Sequence, residues 1–180
     1  MSAWLTVFIA QTWLIAAGRL AWHRRLGVAA ALLAGLVILS GAALTLLAFE
    51  REARAHVVSK FHCLLLIKLV NLALFAALVG GALALRDRSD VHKRLMLLAA
   101  VTLLAPAAAR VARLFGRIPL LQLLALYACI AGCLLVETVR HRRLHPVLGW
   151  GAVVVIAAFQ ISYFVVQTGA WMSFLHRELW

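Results

Sequence analysis

Residues that tolerate water are what this chain has least of. Hydrophobic residues fill 66% of its 180 positions and the mean hydropathy is +1.01, whereas a soluble domain is roughly 45–50% apolar. What is left cannot clothe a water-facing surface. Carboxylates are scarcer still, with six Asp and Glu against 18 Lys and Arg, a formal charge of +12. In a soluble chain that excess would suggest nucleic acid. Here the bases stand between apolar runs rather than on one polar face. The partner they imply is the anionic headgroup layer of a lipid bilayer, and no nucleic-acid partner is expected.

Cysteine is sparse and odd in number. Cys63, Cys129 and Cys133 all lie inside apolar runs, which excludes a disulfide framework. Cys129 and Cys133 share a helix face, but two thiols do not complete a zinc site. They read as small packing residues. No Lys or Arg precedes Arg19, so the basic start of a cleaved secretory signal is missing and the first apolar run reads as a retained span. The H-E-x-x-H pattern of zinc hydrolases is absent as well. Fifteen Arg against three Lys hints at a GC-rich bacterial genome.

What is present is six long apolar runs, at about 2–20, 26–49, 61–85, 93–115, 118–138 and 146–171. A span needs about 20 apolar residues, and in lipid the backbone must satisfy itself within the segment. The expected fold is therefore all-α, an up-down bundle of six transmembrane helices forming one domain over 1–180. Pro119 and Pro146 suit first helical turns. Pro106, in mid-run, should kink or locally unwind its helix. Arg110, Arg113 and Arg117 lie on one face of that helix as a snorkelling stripe. Arg19, Arg24, Arg25, Arg86, Arg88, Lys93, Arg94, Arg140, Arg142 and Arg143 fall on one side of the bundle, ten against seven on the other. The positive-inside rule then places both termini on the outer face of a bacterial inner membrane.

Three histidines recur in a pattern. His23, His92 and His145 each open an even-numbered helix and are each followed three residues later by Leu. Helices 2, 4 and 6 start on the same side, so the three imidazoles share one depth; His141 joins them, and His56, His62 and His176 lie opposite. Interfacial histidines can simply cap helices or meet lipid phosphate. They can also ligate a metal with an open position, or pair to hold b-type haem irons near each face. The division between faces favours haem over a bare metal.

Other polar residues fall inside the spans. A charge there is a functional hypothesis by default, and Lys68, with Asn71 one turn on, either serves a polar cavity or snorkels to the near rim. Glu137 is matched by Arg140 or His141 on its own helix. Gln160, Tyr163 and Gln167 form one seam, expected to face the bundle interior as interhelical glue or cavity wall, with Gln11 as a possible partner.

The stretches WHRRLG at 22–27, HKRLMLLA at 92–99 and HPVLGWG at 145–151 resemble a group of bacterial polytopic membrane proteins whose helices begin H-R-x-L-G and H-K-R-L-M. The resemblance spans roughly residues 10–160. The chain is also faintly similar to cytochrome-b561-like bundles, which hold two haems through His on facing helices. That similarity implies His23, His92 and His145 on one side and His62 on the other as ligands to haem b, and electron transfer with quinone or a membrane-protein partner. The competing expectation is a non-catalytic membrane protein. A small-solute permease should show a polar path through Lys68, Asn71, Gln160 and Tyr163. An accessory or assembly subunit should show a filled interior and exposed apolar helix faces.

Overall fold

A computed structural model of the chain describes residues 2–54, 60–114, 119–168, 171 and 173. Among these it is all-helical, with no strand. The helices are α1 (Ser2–Ala16), α2 (Leu20–Arg54), α3 (Lys60–Ala84), α4 (Ser89–Leu114), α5 (Pro119–His141) and α6 (Pro146–Gln167). The five from α2 to α6 are long and apolar enough to cross a membrane, while α1 is shorter. By that measure the chain is a membrane protein.

Helix ends depart from the expected spans in a consistent way. α2 begins at Leu20 rather than 26 and runs on to Arg54, and α4 begins at Ser89 rather than 93. His23, Arg24, Arg25 and His92 therefore lie within the first turns of their helices rather than at or before their starts. Arg and Lys are good helix formers, and their long stems carry the charge away from the axis, so a change in hydropathy does not end the helix. α1 stops early, at Ala16, because Gly18 adopts φ +71°. The Gly18 N–H donates to Ile15 O at 3.0 Å and the Arg19 N–H to Leu14 O at 2.9 Å, the paired bonds of a Schellman C-cap. α4 continues through Pro106 to Leu114. The expected unwinding does not occur there, although the Thr102 carbonyl loses its helical donor.

The chain divides into two compact units, residues 1–44 and 45–180. In the first, α1 buries Trp4 and Gln11, and α2 buries Ala34. A side chain at Gly27 would stand 3.9 Å from Gln11 Nε2, so the hairpin brings Gln11 against a bare stretch of α2. At the turn, Arg19 lies over Trp13 and Arg25 over Trp22, 5.8 and 5.7 Å from the ring centroids. Such cation–π pairs at a helix end suit the headgroup layer.

In the second unit α4 is the centre, packing against α3, α5 and α6, while α3 and α5 also touch α6. Six consecutive α4 residues, Leu98 to Leu103, are buried. A helix buried on all sides cannot be amphipathic. α6 instead buries a single stripe: Leu148, Ala152, Val155, Phe159 and Ser162. These meet Leu98 and Val101 of α4 and Leu126 and Ile130 of α5 in one apolar core, with Ile67, Leu74 and Leu78 of α3 packed on it. Lipid is as apolar as leucine, so close packing rather than water exclusion holds such helices together.

Among the described glycines the closest approach is at Gly151 on α6. A Cβ there would lie 2.3 Å from Leu98 Cδ1, and Leu98 is itself fully buried. Gly151→Ala should lower stability by about 1–3 kcal/mol through overpacking. Adding Leu98→Val should recover part of that loss. Thermal unfolding in detergent of both single variants and the double variant checks this; an undisturbed Gly151→Ala protein would show that the α4–α6 contact can yield.

Candidate functional site

The polar chemistry of the second unit gathers where α3 ends, α4 begins, α5 ends and α6 begins. The last carbonyls of any helix lack intrahelical donors, and one of them in α3, Ala82 O, is met by His92 Nδ1 of α4 at 2.7 Å. A carbonyl only accepts, so Nδ1 carries the proton and donates. In the neutral ring Nε2 then keeps its lone pair. The bond ties the start of α4 to the end of α3.

Two residues on, Arg94 is 6% exposed. Its Nη1 donates to the Asp90 carbonyl at 2.6 Å, and lies 3.5 Å from an Asp90 carboxylate oxygen. Its Nε donates to Glu137 Oε1 of α5 at 2.9 Å, and Nη2 donates to the same oxygen. The Glu137 side chain is 13% exposed. Its other oxygen stands 4.0 Å from Nε2 of His141, one turn along α5. Lys93 closes the outer side of the cluster, donating to Asp90 at 2.8 Å. Asp90 also lies in the first turn of α4, where a carboxylate meets the positive end of the helix dipole. Glu137, expected to pair on its own helix, thus takes its main partner from a different helix. A carboxylate this buried needs a cation held rigidly at two bonds, and exposed Arg140 or half-exposed His141 does not supply that.

His145 does something else. It caps α6, its Nδ1 accepting from the Val147 N–H at 3.3 Å with Pro146 in the first turn. An Nδ1 that accepts leaves the neutral ring's proton on Nε2, so this conformation offers no lone pair to a metal. His141 and His145 are four apart, but α5 ends at the first and α6 opens after the second, so no helical pair forms. His23 lies in the first compact unit, half-buried in α2. The His62 backbone belongs to the first turn of α3, at the end remote from His92; its side chain, with His56 and His176, lies outside the described residues. Among the described residues no three His, Cys, Asp or Glu side chains are grouped to hold a metal ion.

The expected polar seam turns differently. Gln160 and Gln167 are exposed and Tyr163 is half-buried, while the polar residue α6 buries is Ser162, whose hydroxyl donates to Ala158 O at 2.6 Å. The reason is register: the inward stripe from Leu148 to Phe159 carries Ser162 in with it and leaves Gln160 on the other side. Lys68 and Asn71 are half-buried on α3. Asn71 Oδ1 and Tyr127 Oη on α5 are both shielded from solvent with no hydrogen bond. Sequence reasoning missed Arg94 by counting it only among the bases of one rim. The available signal was chemical matching: Glu137 is the one carboxylate within an apolar run, near its end, and the basic start of α4 is the complementary feature. Compared with family models, curated proteins and solved structures, the chain matches none.

The Arg94–Glu137 pair is held away from solvent, while Asp90 and Lys93 at its edge are exposed. The arrangement joins three helices, through His92–Ala82 and Arg94–Glu137. Arg94→Met alone, stranding Glu137, should cost about 2–3 kcal/mol, somewhat under the value for a fully interior pair because the cluster is near the rim. Glu137→Leu alone should cost a similar amount. The double variant should be less harmed than the sum of the two. A double-mutant cycle of unfolding in detergent checks this; strictly additive losses would show that the two groups act separately.

Proposed function

We propose that the chain is an integral membrane protein of the accessory or assembly kind, a helical module embedded in the bacterial inner membrane that supports a larger membrane complex. The observation that carries this reading is the distribution of apolar side chains in the second unit. Its interior is closed by Leu98, Val101, Leu126, Ile130, Val155 and Phe159, while Leu135, Val136, Val139, Trp150, Val153, Ile161 and Phe164 face outward. The exposed positions of Gln160 and Gln167 weigh against a polar path through the unit and so against a permease. With α1 taken as a sixth span and the more basic rim placed inward, both termini would lie on the outer face.

One observation supports a second reading, a small redox protein with haem b passing electrons to quinone or a membrane partner. His92, with Nδ1–H fixed on a carbonyl, has the orientation and tautomer that a ligating imidazole uses. His145 does not match that requirement in its capping role. His62, at the opposite end of α3 from His92, is too far away to share an iron with it. Bound at His92, haem would supply one-electron transfer, and that imidazole would fix its orientation.

Absorption spectra decide between the two. Protein purified after haem-replete expression is expected to show no Soret band, oxidised or dithionite-reduced, and no stoichiometric metal. It should migrate on native gels with a partner at fixed stoichiometry after mild solubilisation. A Soret band lost in His92→Ala would establish the redox reading instead.

A further inference from the structure

We propose that the α5–α6 turn is a binding site for the phosphodiester headgroup of an anionic phospholipid. The inference goes beyond the accessory role and stands independently of it.

Arg140, Arg142 and Arg143 are exposed within four residues at this turn, and Arg86 and Arg88 are exposed at the α3–α4 turn. The His92–Ala82 and Arg94–Glu137 bonds hold these two turns at one rim of the unit. Of the carboxylates nearby, Glu137 is engaged with Arg94 and Asp90 with Lys93, while Asp87, between Arg86 and Arg88, is exposed. Among the described residues none of these five guanidinium groups has a carboxylate partner. Five guanidiniums that repel each other outnumber the one open carboxylate, Asp87, so an anion from outside the chain is what the rim lacks. Guanidinium is suited to phosphate because its fork makes two parallel hydrogen bonds.

Backbone geometry singles out Arg142. It is the one non-glycine residue with positive φ among the described residues, at +52°. That position directly after a helix favours glycine. An arginine there costs stability that its own packing does not return, since the side chain is exposed. The location selects the source of the phosphate. α5 ends as a span at His141 and α6 begins as one at Pro146, so the turn lies at headgroup depth, where anionic lipid is the abundant phosphate.

The test uses the full chain in nanodiscs of zwitterionic phosphatidylcholine, alone or with phosphatidylglycerol. Phosphatidylglycerol should raise the Tm by about 4 °C or more and remain bound in native mass spectra. Replacing the turn by Arg140→Gln, Arg142→Gln and Arg143→Gln should abolish most of that rise. These side chains are exposed, so the fold should survive. Arg142→Gly should melt higher than wild type in phosphatidylcholine alone, because the backbone strain is relieved, yet gain less from phosphatidylglycerol. Glycerophosphate added in solution to phosphatidylcholine discs should give no rise. An equal Tm in both lipids, a triple variant that keeps the full rise, or an equal rise with free glycerophosphate would each overturn the proposal.

Discussion

A guanidinium sunk between two helices is the constraint around which the second unit is arranged. Arg94 cannot be left unpaired at 6% exposure, because an isolated buried charge costs several kcal/mol. Its donors are shared between its own helix, at Asp90, and α5, at Glu137. That sharing fixes the register of α4 against α5. His92, two residues earlier, fixes α4 against the end of α3. Since α4 is the helix that the other three surround, setting its height at one rim sets the height of its whole buried stretch, Leu98 to Leu103.

From that register the apolar packing follows. Leu98 lies one turn beyond Arg94, and its side chain occupies the space that Gly151 leaves open on α6. Small residues on α4, such as Ala99, Ala100 and Thr102, let neighbouring backbones come close, the usual means by which helices associate in lipid. Polar groups in this stretch are turned back on the helix itself: Thr102 donates to Ala99 O and Ser162 to Ala158 O. Polar links between helices are concentrated near the rim, where a few bonds are stiffened by charge. The middle of the unit is held mostly by contact.

The same division bears on function. Histidines that share one depth in the sequence pattern are given separate tasks: His92 joins two helices, His145 caps one, and His141 stands beside a carboxylate already satisfied by Arg94. The strongest polar arrangement is structural in geometry, and the largest unengaged chemistry is the exposed arginine rim. An accessory protein anchored by its interior and addressed through its surfaces is consistent with both.

The amino-acid sequence by itself determined that the chain is helical and apolar, where most spans lie, and that α5 and α6 open on Pro119 and Pro146. These follow from composition, run length and proline stereochemistry, which act locally. It did not determine that the most apolar span, α2, would be the least buried of the five and the least apolar, α4, the most. In lipid, hydropathy reports contact with the solvent of the fold, and small or paired polar residues are free to take the centre. Nor could spacing show that Glu137 meets Arg94, 43 residues away, or that Gln160 turns outward while Ser162 turns in. Those outcomes depend on which face of each helix its neighbours cover, and only the packed tertiary structure decides that.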